Sequence, residues 1–127
     1  MPHIRLEYTN NITIEFEFND LFQEVHQVLN QVAGIKIENC KSRAICLTDF
    51  YAGNGEKKEA FVHLDVSFFE GRSTSDKKEV GEQLLGVLRK YFKVGFAVYK
   101  LQITIEVHEI DRAMYFKTTS DTHLNES

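Results

Sequence analysis

The spacing of apolar residues along this chain runs through one order of changes and then repeats it, and that repeat restricts the fold more than any single residue does. In the first unit Ile4, Leu6 and Tyr8 alternate with His3, Arg5 and Glu7, the period-two pattern of a half-buried strand. Asn19-Asp20 then supplies capping residues for a helix whose stripe is Leu21, Phe22, Val25, Val28, Leu29 and Val32, with Gly34 as its C′ residue. A second strand covers about 41–50 and closes in the turn Ala52-Gly53-Asn54-Gly55. The second unit opens with Ala60, Val62, Leu64, Val66 and Phe68 on the core side of a strand. Ser73 and Asp76 follow as a capping pair. Val80, Leu84, Val87, Leu88 and Tyr91 form the stripe of a longer helix. Leu101, Ile103, Ile105 and Val107 give a fourth strand, with polar Gln102, Thr104, Glu106 and His108 opposite. A short apolar piece, Ala113 to Phe116, precedes a polar tail.

The organisation is strand–helix–strand twice, in units of about 3–50 and 60–109 with a tail over 110–127, within one domain spanning 1–127. A helical connection favours parallel pairing inside each unit, in the right-handed sense. The expected fold class is therefore α/β (α+β), a four-stranded mixed sheet with two helices on one face. Its other face then needs cover. Phe61, Phe69 and Ile110 on that face imply packing against neighbouring subunits, and the C-terminal piece is placed to extend a neighbour's sheet edge.

At 127 residues the chain buries about two-thirds of its unfolded surface, so it needs no staple. The net charge of −4 argues against nucleic acid or an anionic membrane as partner. No segment is apolar for long enough to span a bilayer, and no signal-peptide core opens the chain. Cys40 and Cys46 match no zinc spacing and read as reduced thiols, which suits a cytoplasmic protein.

Pro2 is the only proline. Removal of Met1, usual before a small residue, exposes a secondary amine. Ordinary α-amino groups titrate near ~7.7–8.0. Desolvation or a nearby cation lowers that value and makes the amine a candidate general base. Position alone also allows a plain structural role, since a proline opening a strand costs no ladder bond. His63, Asp65 and His108 lie on polar strand faces, but no short-spacing ligand motif joins them, so they read as structural and no metal is expected. Lys41 and Arg43 bracket Ser42 and point to one face. Arg72, in Gly71-Arg72-Ser73, stands just before a helix N-terminus, where a carboxylate is attracted; such an arginine is also commonly a solvated charge.

Pro2-His3-Ile4, Ser42-Arg43, Ala60-Phe61-Val62-His63 and Gly71-Arg72-Ser73 come in this order ahead of an amphipathic helix. With the doubled layout, they resemble the 5-carboxymethyl-2-hydroxymuconate isomerase family of the tautomerase superfamily, from Pro2 to about Lys117. The resemblance implies a tautomerase-like homotrimer that needs no cofactor and acts on a small carboxylated dienol in aromatic-compound catabolism. It makes Pro2 the proton-transfer base and Arg72 an aid to binding and catalysis. Lys41 falls where the family has a second active-site arginine, and Arg43 matches a neighbouring arginine. Lysine keeps the charge but loses the planar fork that grips a carboxylate. Either Arg43 or a water-assisted Lys41 takes over, or the substrate differs. The implied chemistry moves a proton along an unsaturated 2-hydroxy or 2-oxo acid, with Arg72 and Lys41 holding carboxylates and developing enolate charge. Three rival readings are a tautomerase for another enol acid, a non-catalytic trimeric binding protein on the same scaffold and, third, a metal-dependent reading through His63 and His108, which activity surviving a chelator would exclude.

Overall fold

Alternation in the first strand does what the sequence requires of it: Ile4 and Leu6 are fully buried while Arg5 between them is exposed. The computed structural model describes residues 1–120. Its elements are β1 (His3–Thr9), α1 (Phe18–Ala33), a 3-10 turn (Ile37–Asn39), β2 (Lys41–Leu47), β3 (Glu59–Phe69) and α2 (Thr74–Tyr91). A short α3 (Lys93–Val98), β4 (Lys100–Ile110) and a second 3-10 turn (Arg112–Met114) follow.

The sheet order is β2-β1-β3-β4. Pairing is parallel within each unit, β1 with β2 and β3 with β4, and antiparallel where β1 meets β3. The sheet is therefore mixed. Leu21, Val25, Val28 and Leu29 of α1 pack with Val80, Leu84 and Leu88 of α2 onto the strand residues Ile4, Leu6, Val62, Leu64, Val66 and Phe68. His26 reaches Ser42 Oγ from α1 at 2.7 Å, so even-numbered β2 residues face the helices. The opposite face carries His3, Arg5, Glu7, His63, Asp65, Thr104 and Glu106 in register across three strands.

Several expectations shift. α1 starts at Phe18 with Glu17 as an uncapped N-cap, so Asn19 and Asp20 lie in its first turn. Aromatic packing decides this start. Phe16 sits edge-on to Phe92 at 5.1 Å, and Phe18 lies tilted against Tyr8 at 5.4 Å. Asp20 then sits where the helix dipole favours a negative charge. Gly34 does end the helix, at φ 67°, with its N–H bonded to Asn30 O. Ser73 caps α2 by accepting from the Asp76 N–H at 3.0 Å. β2 stops at Leu47, short of residue 50. α3 is an addition to the two helices expected. Of the polar tail, residues 121–127 lie outside the described residues.

Candidate active site

Because β1 runs antiparallel to β3, the starts of β1 and β2 lie at the same end of the sheet as the finishes of β3 and β4. Pro2, Lys41, Arg72 and the residues after Ile110 are distant in sequence and adjacent here. A cleft of about 290 Å³ opens at this end, lined among others by Met1, Lys36, Asn39, Phe69, Arg72 and Arg112.

Pro2 is buried behind Met1, and its carbonyl accepts the Lys41 N–H at 3.1 Å. The chain's amine, here that of Met1, is held below its ordinary pKa, first by burial and then by the Lys41 and Lys117 charges. Lys41 is exposed and its ammonium donates to Asn39 O at 3.3 Å, at the cleft wall.

Arg72 is half-buried and anchored. Its Nε donates to Ala33 O at 2.8 Å and its Nη1 to Phe69 O at 3.4 Å, while the guanidinium lies over the Phe68 ring. It thereby ties the end of α1 to the end of β3. Arg112, which no sequence motif marks, sits 4.3 Å above the Phe69 ring centroid, and its backbone N–H bonds the Glu70 carboxylate at 3.1 Å. Among the described residues Arg72, Arg112, Lys36 and Lys41 form no ion pair with a carboxylate. Positive charge facing an open cleft without an internal counter-ion suits an anionic ligand. Only the strand ends placed together by topology reveal Arg112; no local motif marks it.

Arg43 is turned elsewhere. Its Nη2 donates to His3 Nδ1 at 2.6 Å on the open sheet face, and it does not line the cleft. The other His3 nitrogen, Nε2, then donates to the Tyr115 hydroxyl at 3.0 Å. Burial, with help from Arg43, the terminal amine and Lys41, holds His3 below its ordinary pKa. A second hollow of about 430 Å³ lies on the open face beside Glu7, Glu59, Phe61 and His63. Its charged lining is acidic, so it does not suit a carboxylate.

A family model described as 5-carboxymethyl-2-hydroxymuconate isomerase matches residues 2–123. The chain belongs to this family. It is accordingly an isomerase, and its sheet and helices are those of the tautomerase superfamily. An Escherichia coli 5-carboxymethyl-2-hydroxymuconate Delta-isomerase is 25% identical over 117 residues, covering 92% of this chain and 93% of that one. The crystal structure of a 5-carboxymethyl-2-hydroxymuconate isomerase from Deinococcus radiodurans R1 superposes with a TM-score of 0.84 at 32% identity, over 99% of this chain and 94% of that one. A macrophage migration inhibitory factor-like protein from Entamoeba histolytica shares the fold at 15% identity, with a TM-score of 0.68 over 94% of this chain and 96% of that one. Among the described residues no helix is long and apolar enough to cross a membrane.

Proposed function

We propose that the protein, once Met1 is removed, shifts a proton along an unsaturated 2-hydroxy or 2-oxo acid of the 5-carboxymethyl-2-hydroxymuconate type, with Pro2 as the base. The observation that carries this reading is the meeting, at one end of the sheet, of a terminal amine of lowered pKa with a cleft lined by unpaired cations. Removing Met1 moves the amine one residue inward, to the start of β1, beside the same Lys41. The neutral nitrogen takes the proton from the 2-hydroxy group or the allylic carbon and returns one at the far carbon, and the double bond moves. Arg72 and Lys41 hold carboxylate and enolate charge. Arg112 and Lys36 add positive charge on the far side, which favours a substrate with more than one carboxylate. Arg43 acts on His3 rather than on substrate.

The family relationship supports a place in cytoplasmic aromatic-compound catabolism, and the exposed sheet face supports assembly as a homotrimer. An ultraviolet assay of 2-hydroxymuconate-type dienols, run on methionine-free protein and on Pro2→Ala, tests the central claim. The expected result is a large loss of kcat in the variant. Equal rates would overturn it.

A further inference from the structure

The cleft leaves unused a group of ionisable side chains in the middle of the open sheet face. The β3–β4 register sets His63 beside Thr104, Asp65 beside Glu106 and Ser67 beside His108. His63, Asp65, Glu106 and His108 therefore rise from one face of two adjacent strands. Their donor atoms converge. His63 Nε2 lies 3.0 Å from Asp65 Oδ1 and 3.3 Å from Glu106 Oε2. His108 Nε2 lies 3.2 Å from the same Asp65 oxygen and 3.2 Å from Glu106 Oε1. Ligand atoms of His63, Asp65 and Glu106 all fall within 4.8 Å of one another. A tetrahedral ion with bonds of about 2.0–2.2 Å holds its ligand atoms roughly 3.3 Å apart. Without an ion these contacts are imidazole–carboxylate hydrogen bonds, and their spacing is also one that a tetrahedral ion could span in place of the shared protons.

Orientation and charge agree with that. Side chains of His63 and Asp65 are only 20% and 16% exposed, so neither is free to swing away. His63 Nδ1 meets Thr104 Oγ1 at 2.6 Å, and Arg5 Nη2 donates to Asp65 Oδ2 at 2.6 Å. Outer partners of this kind fix the tautomer and direction of metal-binding imidazoles and carboxylates. With Thr104 accepting the Nδ1 proton, the Nε2 lone pair faces two carboxylate oxygens, a contact relieved either by a proton on Nε2 or by a metal ion in its place. Asp65, Glu106 and nearby Glu7 bring three negative charges against the one positive charge of Arg5, and a divalent ion offsets the remaining two.

We propose that His63, Asp65, Glu106 and His108 form a divalent transition-metal site, with Zn²⁺ the best match to two imidazoles and two carboxylates. Four protein ligands leave no position for substrate, so the role is structural: it clips edge strand β4 to β3. The site is separate from Pro2, since Asp65 pairs with Arg5, three residues along β1 and on the open face. The sequence hides it because each strand supplies only an i, i+2 pair, and the strand register makes the set.

Calorimetric titration of chelator-stripped protein with Zn²⁺, with Co²⁺ absorption as a second probe, tests the proposal. The expected result is one Zn²⁺ per chain, visible ligand-field bands of tetrahedral strength with Co²⁺, and a Tm that rises with Zn²⁺ concentration. Glu106 and His108 are exposed, so the Glu106→Gln/His108→Ala variant is expected to stay folded and to lose saturable binding. Thr104→Val is expected to weaken binding about 10–100-fold. Absence of saturable Zn²⁺ binding by the unaltered chain, or equal binding by the double variant, would overturn the site. None of these readouts uses isomerase activity, so the result is independent of the role of Pro2.

Discussion

A cation beside an amine lowers its pKa, and a cation beside a carboxylate binds it; at Lys41 the two effects separate by experiment. Burial and the Lys41 charge both favour the neutral form of the Met1 amine, and Lys41, bonded through its N–H to the Pro2 carbonyl, stands beside the amine that Pro2 would present once Met1 is removed. The neutral form is the proposed base, so activity rises with pH through the amine's pKa. Removing the charge in Lys41→Gln lets the amine keep its proton to higher pH. The acid limb of the kcat/KM profile is therefore expected to move upward, and a limb that stays in place would detach Lys41 from the amine. Lys41→Arg keeps the charge, holds the limb, and lowers KM if the missing fork is what binding lacks. Arg72 and Arg112 divide differently. Arg72→Ala strips the Ala33 and Phe69 carbonyls of their donors, which costs about 1–3 kcal/mol of stability along with activity. Among the described residues the Arg112 side chain has only a ring contact to lose, worth about 0.5–1 kcal/mol. Arg112→Ala is expected to raise KM with kcat unchanged, the mark of uniform binding. Thermal unfolding and steady-state kinetics on the two variants check both; a fall in kcat alone for Arg112→Ala would take Arg112 out of carboxylate binding.

At the scale of elements, α1 and α2 are joined on their solvent side by Glu24, whose carboxylate accepts from the Lys90 ammonium and the Tyr91 hydroxyl. Those bonds, Lys90 first and Tyr91 second, hold the Glu24 carboxyl below its ordinary value against the effect of burial. The same contact pushes the Tyr91 hydroxyl up to about 12. A depressed carboxyl contributes stability above its unfolded pKa and loses it as pH falls through the folded one; a raised phenol contributes below its unfolded pKa and loses it on the way to about 12. Glu24→Gln is therefore expected to lower Tm at neutral pH, with the difference closing under strong acid. A difference that persists there would show that the carboxylate charge is not its source. The elements themselves were largely legible. Ile4 and Leu6 alternate cleanly, and the stripe from Leu21 to Leu29 admits only a helix. Gly34 and Ser73 mark helix boundaries by backbone conformation and side-chain chemistry that act locally. What failed was decided at a distance. Asn19-Asp20 caps well by local rules, but Phe16 and Phe18 packing on Phe92 and Tyr8 starts α1 earlier. Six residues of α3 with Gly95 inside them carry too little period to be read as a helix.

For the whole molecule, the decisive step is the antiparallel β1–β3 junction, because it alone puts the ends of both units together. Pro2, Lys41 and Arg72 were legible as candidates from residue type and family resemblance. Arg112 was not, since it follows β4 and joins the cleft only through the register of Phe69 with Ile110. The Arg43–His3 contact was not legible either, for the related reason that it forms across the β1–β2 strand pair. Among the described residues the same topology leaves two edge strands and an uncovered face. On that face Phe61, Phe69 and Ile110 are half-buried, and Ile45 of edge strand β2 is 38% exposed. Exposed apolar residues beside paired ionic groups are what an interface between copies requires, because the polar pairs keep the lone chain soluble while the apolar ones gain from contact. A trimer built through this face makes Ile45 a contact in the assembly but not in the chain. Ile45→Asp is then expected to leave the circular dichroism of the fold unchanged and to reduce the mass by light scattering from three chains to one. An unaltered protein that already runs as a single chain would remove the homotrimer, and a variant that stays trimeric would move the interface off the β2 edge.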